Sequence, residues 1–275
     1  MTWLDMVLTG YMAAFGLRLL LPSAGPFSDS PILRGLYAAT EPVLRPIRRI
    51  VMRGEPRTDW SPLIAVLLLM VLRGGLSAAL SGESASTGVA GSVLDATRVA
   101  IYVLSVLFLG VFFISIDTPF GYSQIGHMMY TLSSPFLAPI RLLFPGKRRG
   151  ADPAPLLGIV LLGGGHGLLL FEFSAYLPDM SPLPMGQSIL LSLVDLLDTL
   201  LDVLFVVILV RALVSWFNPD PSTPMFQALI LYSDPILAPI QRIMPSNIGI
   251  DFSPLVAILV LLFFQSSVLP LLLRI

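Results

Sequence analysis

The chain contains no cysteine and only two histidines, His127 and His166. The first absence excludes disulfides, Cys-ligated zinc, iron–sulfur clusters, covalent haem attachment and thiol catalysis. The second excludes a His-rich metal site. Charge is also scarce. Only 12% of the 275 residues are charged, against about 25% in a soluble domain. Lys and Arg number 16 and Asp and Glu 17, a net charge of −1. The basic surplus of a nucleic-acid binder is missing, so no nucleic-acid partner is expected. No nucleophile–base pair or metal-ligand set stands out. Neither enzymatic activity nor a cofactor is expected.

What is present is apolar. Hydrophobic residues make up 55% of the chain, and the mean hydropathy is +0.86. One soluble core cannot absorb that excess, and the fold class this leaves is an all-α polytopic membrane protein. A crossing helix needs about 20 mostly apolar residues. Six stretches fit: Trp3–Leu21, Trp60–Leu80, Val93–Ile116, Pro155–Phe171, Ile189–Phe217 and Pro254–Leu273. The first has no positive charge in Met1–Asp5, unlike a signal peptide, and is expected to remain as an anchor.

Loop charge gives orientation. Arg34, Arg45, Arg48, Arg49, Arg53 and Arg57 lie between the first two spans, and Arg141 and Lys147–Arg149 between the third and fourth. Ser81–Ser92 and Glu172–Ser188 hold no Lys or Arg. The positive-inside rule places the odd-numbered loops in the cytoplasm, and the membrane is expected to be the bacterial inner membrane.

The basic-side loops repeat one pattern. The copies read Thr40-Glu41-Pro42-Val43-Leu44-Arg45-Pro46-Ile47-Arg48, Ser133-Ser134-Pro135-Phe136-Leu137-Ala138-Pro139-Ile140-Arg141, and Ser233-Asp234-Pro235-Ile236-Leu237-Ala238-Pro239-Ile240-Gln241-Arg242. A second element follows: Asp59-Trp60-Ser61-Pro62, Asp152-Pro153-Ala154-Pro155 and Asp251-Phe252-Ser253-Pro254. From first proline to aspartate is 17, 17 and 16 residues. This implies three units, over 1–80, 93–171 and 189–275. Thr40, Ser133 and Ser233 are expected to cap short helices. Pro46, Pro139 and Pro239 are expected to bend or break them. Each such helix should lie in the membrane interface, with basic residues toward headgroups. Ser61 and Ser253 are expected to cap the following spans, with Pro62 and Pro254 at the first helical position.

At these residues the chain resembles the YggT (YlmG-like) family of bacterial and plastid membrane proteins. The best match is Arg211-Ala212-Leu213-Val214-Ser215-Trp216, then Asp234-Pro235 and Pro239, then Asp251-Phe252-Ser253-Pro254. The first copy keeps Arg18, Glu41-Pro42, Pro46, Arg48 and Asp59-x-Ser61-Pro62. The second has Val111 at the arginine position, Ser134 at the acidic one and Ala154 at the serine one. The resemblance implies no enzymatic activity. It implies roles in membrane-complex and cytochrome maturation, in division and nucleoid organisation, or in osmotic and ion homeostasis.

Arg18 and Arg211 interrupt apolar runs, and an intramembrane charge is a site candidate by default. The competing reading pairs each with the acid of its own copy, Glu41 or Asp234, and pins the proline helix. Asp195, Asp198 and Asp202 share a helix face, and Asp202 is the deepest candidate for a polar path. His166, within Gly163–Gly167, is a second. It would be either a ligand or proton relay, or a histidine bonded to a neighbouring helix. The expected partners are the bilayer, its anionic headgroups and a membrane protein, with homo-oligomerisation as an alternative. The expected function is a membrane scaffold or assembly factor; the alternative is a channel or transporter subunit.

Overall fold

The computed structural model describes residues 3–20, 31–51, 61–82, 84–116, 124–144, 151–174, 183–215, 224–243 and 252–273. Asp59, Trp216, Asp251 and the basic run 147–149 lie outside the described residues. Among the described residues there is no strand. The helices are α1 (Trp3–Leu20), α2 (Pro31–Val51), α3 (Ser61–Ser81), α4 (Ala85–Ile116) and α5 (Gln124–Arg141). They continue with α6 (Ala154–Ser174), α7 (Met185–Ser215), α8 (Pro224–Ile243) and α9 (Ser253–Phe263). A π-helical turn, Phe264–Val268, joins α9 to the short α10 (Leu269–Leu272).

Four segments are long and apolar enough to cross a membrane: Ser61–Leu80, Ala85–Ile116, Ala154–Ser174 and Ser253–Leu272. The chain is therefore an α-helical membrane protein. The other two expected spans differ in character. The apolar part of α1 is the shorter Val7–Gly16. Helix α7 carries Asp195, Asp198, Asp202 and Arg211 within its 31 residues.

The chain divides into two compact units, one of Met1–Ala100 with Leu169–Leu183, the other of Ile101–Leu168 with Pro184–Ile275. In the first, α1 packs on α2 and α3, and α2 on α3. Among the described residues, Phe15, Leu44 and Ala65, one from each helix, cluster in its core. Helices α3 and α4 form a tight hairpin through Gly82, whose φ of +73° suits only glycine without strain. They cross where a Cβ on Gly88 would sit 2.1 Å from the Gly74 carbonyl oxygen. Small residues let membrane helices approach this closely. In the second unit α8 packs on α5, α7 and α9. Among the described residues its core cluster is the larger and includes Phe108, Val111, Leu137, Ile208, Leu237 and Ala257.

The proline pairs do not break their helices. Pro42 and Pro46 lie inside α2, Pro135 and Pro139 inside α5, and Pro235 and Pro239 inside α8, and none of these helices ends there. Each proline removes one N–H and frees the carbonyl four residues earlier. In α2 the freed carbonyls belong to Ala38 and Pro42, both exposed residues. An exposed carbonyl finds other donors, which lowers the cost of the proline. The expected caps are corrected. Thr40, Ser133 and Ser233 stand mid-helix, and each hydroxyl donates back to the carbonyl four residues earlier: Leu36, Met129 and Leu229. Ser61 and Ser253 are the first residues inside α3 and α9. Phe252 holds the position before α9 and makes no side-chain cap. The glycine cluster of 163–167 does not interrupt α6 either.

Candidate functional site

Arg18 is in the last turn of α1 and is 8% exposed. Its Nη2 meets Glu41 Oε2 at 2.5 Å. Its Nη1 donates to Thr40 Oγ1 at 2.6 Å. The guanidinium also lies 4.3 Å from the centre of the Tyr37 ring, a cation–π contact. A planar fork of donors suits this task, reaching a hydroxyl and a neighbouring carboxylate together. The third copy builds the same clamp. Arg211 Nη1 donates to Ser233 Oγ at 2.5 Å and to Asp234 Oδ1. The sequence separations, 22 and 23 residues, are identical in the two clamps. Each clamp ties the helix before the proline helix to the middle of that helix.

Glu41 collects more charge than Asp234. Arg48 Nη1 lies 3.2 Å from Glu41 Oε1, and Arg45 Nε lies 3.6 Å away. Burial pushes the Glu41 carboxyl up, but the Arg18 hydrogen bond and the charges of Arg18, Arg48 and Arg45 outweigh it. The net result lies below the usual value of 4.5. Asp234 has Arg211 as its ion-pair partner.

The second copy lacks the arginine. Val111 stands there, fully buried in the core of the second unit. Arg141, at the end of α5, turns instead to Asp152, with Nε to Oδ2 at 3.0 Å. It also lies 5.9 Å from the Tyr130 ring centre. Asp152 Oδ1 accepts from the Ala154 N–H and so satisfies the start of α6. The Asp152 N–H donates to Ser115 Oγ at 2.9 Å, tying α6 to the end of α4. Here the aspartate of the second motif serves the helix N-terminus, whereas in the first and third copies the serine two positions after it was expected to do so. Pro155 follows it, fully buried. Ser215 donates to the Ala212 carbonyl, and Arg242 lies in the last turn of α8.

The polar-path candidates lie in the second unit and have neighbours of their own. His166 Nδ1 is 3.0 Å from Ser192 Oγ on α7. The backbones are close there, since a Cβ on Gly167 would sit 2.4 Å from Ile189 Cα. Asp195 accepts from the Tyr102 hydroxyl on α4. The Gln265 amide, in the π turn, donates to Asp198 Oδ1 at 3.0 Å and Asp202 Oδ1 at 2.8 Å. A π turn inside a helix re-aims a side chain, here onto two carboxylates one helical turn apart. Sequence reasoning did not find Tyr102 or Gln265, because a single tyrosine or glutamine in an apolar run carries no periodic signal. It also missed Arg73 on α3, which pairs with Asp95 on α4 at 2.7 Å. An arginine in mid-span needs an acid on a neighbouring helix, and Asp95 was the signal available. Among the described residues no cluster of three His, Asp or Glu could hold a metal ion.

The profile of the CCB3/YggT family matches residues 1–80 and 190–272, the two stretches that carry the clamps. Among curated relatives, the uncharacterized protein YggT of Escherichia coli (strain K12) is 31% identical over 140 residues. That covers 51% of this chain and 69% of the relative. An uncharacterized protein of Haemophilus influenzae is 28% identical over 151 residues, covering 55% and 77%. One of Pseudomonas aeruginosa is 25% identical over 140 residues, covering 51% and 69%. No solved structure matches. The two-part match covers more than half of the sequence, and the chain belongs to the CCB3/YggT family.

Proposed function

We propose that the protein is a non-enzymatic scaffold or assembly factor for a membrane complex or for envelope and division organisation. It would consist of three tandem YggT-like units with six spans in the bacterial inner membrane. The proline helices would lie in the cytoplasmic interface and present their basic residues to anionic headgroups and to a membrane protein partner. The observation that carries this reading is the repeated clamp. Arg18 and Arg211 are each bonded to the hydroxyl and acid of their own copy. A transport path would instead use those guanidiniums to line a wet cavity.

The test is a crosslinked pull-down of tagged full-length protein from native membranes, read by mass spectrometry. A reproducible set of membrane-complex or division proteins is the expected result. A homo-oligomer without another protein would remove the scaffold reading and favour a channel or transporter. The polar contacts of Asp198 and Asp202 with Gln265 would then be the residues to follow with ion-flux assays.

A further inference from the structure

The face of α2 that carries Pro42 forms a groove of about 470 Å³ lined by Tyr37, Ala38, Glu41, Pro42 and Arg45. A groove of about 220 Å³ on α8 takes in Phe113 and Ile116 of α4 and Arg242, and is also lined by Leu231, Asp234, Pro235 and Ala238. Ala38, Glu41, Pro42 and Arg45 correspond one for one with these four, each 193 positions earlier in the sequence. Part of one surface therefore recurs in the first and third copies. Two of the differences are of charge. Ala238 replaces Arg45, and Gln241 replaces Arg48.

The charge count follows. Helix α2 carries four arginines and one glutamate, a net +3. Helix α8 carries Arg242 and Asp234, a net of zero. In the first groove Arg18 already neutralises Glu41 at 2.5 Å. Arg45 stands farther off, at 3.6 Å, and its side chain is 70% exposed. Its neighbours on that face, Pro42, Pro46 and Arg49, are exposed as well. The opposite face is anchored by Leu44, fully buried in the core of its unit. The outer face thus offers proline rings and guanidiniums side by side, which suits the boundary between headgroups and acyl chains. Pro42 also frees the Ala38 carbonyl as an acceptor, so a headgroup with both a phosphate and hydroxyl donors finds complements to each.

We propose that the groove beside Pro42 holds the phosphate of an anionic phospholipid headgroup through Arg45, and that the matching groove of the third copy, which has Ala238 at that position and keeps Arg242 on its rim, holds it more weakly. This rests on the reading of α2 as an interfacial helix, and it needs no protein partner. The purified protein can therefore fail this test while the scaffold reading stands, and the reverse.

The test uses the full chain in phosphatidylcholine bilayers containing a minor fraction of spin-labelled phosphatidylglycerol. The readout is the preference of the protein-bound lipid for phosphatidylglycerol over phosphatidylcholine. Arg45→Ala should lower that preference several-fold; one arginine at an anionic surface is worth about fivefold in association. Ala238→Arg should raise it, by giving the third copy the side chain of the first. If Arg45→Ala does not fold, Ala238→Arg decides alone. An unchanged preference in every variant that folds overturns the proposal. Excess inorganic phosphate should leave the preference intact. Competition by phosphate would assign the groove to the free anion and overturn the lipid assignment.

Discussion

The first and third copies hold their proline helices with the same three groups but in different surroundings. Arg18 and Glu41 expose 6% and 26% of their side chains, Arg211 and Asp234 21% and 38%. Among the described residues, Glu41 gathers three guanidiniums and Asp234 one. The core beneath also differs. Phe15, Leu44 and Ala65 are the buried residues clustered in the first unit, while α8 contributes Leu231, Tyr232 and Leu237 to the larger cluster of the second. Tyr232 adds a hydrogen bond from its hydroxyl to the Val106 carbonyl, and burial pushes that phenol up from its usual pKa. Where the apolar contact is small, the clamp is drier and more highly charged. Where it is large, a more exposed pair suffices. The second copy goes furthest, with an apolar side chain at the arginine position and its ion pair moved to Arg141 and Asp152.

The largest expected effect comes from forcing the second copy to imitate the others. Val111→Arg places a guanidinium in a fully buried site with Ser134 where the acid should be. An uncompensated buried charge costs several kcal/mol, about 3–5 when a pair is broken. The variant should unfold in mild detergent or fail to insert. Val111→Arg with Ser134→Asp should recover part of the loss, with a coupling of about 0.5–3 kcal/mol in a double-mutant cycle. Absence of coupling would mean that the second copy does not share the clamp geometry.

Arg18→Ala comes next. It removes the main partner of Glu41 but leaves Arg48 and Arg45, so the loss should sit at the low end for a buried pair, about 3 kcal/mol. Arg211→Ala should cost less, about 1 kcal/mol, because both side chains are more exposed. Unfolding in mixed micelles, followed by helix circular dichroism, measures both. A larger loss for Arg211→Ala would reverse the relation between core size and clamp strength.

The two clamps were legible in the sequence because the repeats set each arginine against its own acid. The helix class was legible from composition alone. Where the proline helices start and what their hydroxyls do were not. A Thr or Ser before an acid and a proline reads as a cap, because local rules see only the freed N–H groups of a helix start. The tertiary contact overrides them: Arg18 and Arg211 donate to that hydroxyl, which in turn donates to the preceding turn. The prolines were expected to bend or break the helix, and the break does not occur, since α2, α5 and α8 carry them within their length. The contacts of Tyr102 and Gln265 join segments far apart in the chain, 93 and about 65 residues, and no repeat flags them.

The smallest expected effect is on pH dependence, and it belongs to the first copy. The folded Glu41 carboxyl lies below its ordinary value of 4.5. A lowered carboxyl stabilises the fold fully above the ordinary value and progressively less as pH falls through the folded one. The wild type should therefore lose stability on acidification below about pH 4.5, the more so as the folded value is passed. Glu41→Gln keeps the shape of the side chain and removes its titration. It should be less stable at neutral pH and show a flatter acid limb, so that the two curves converge as the carboxylate protonates. The measurement is detergent unfolding across that range for the two proteins. If the acid limb is as steep in Glu41→Gln as in the wild type, the guanidiniums around Glu41 add no stability to the first copy. Its small core would then have to hold α2 unaided, and the contrast with the third copy would lose its electrostatic basis.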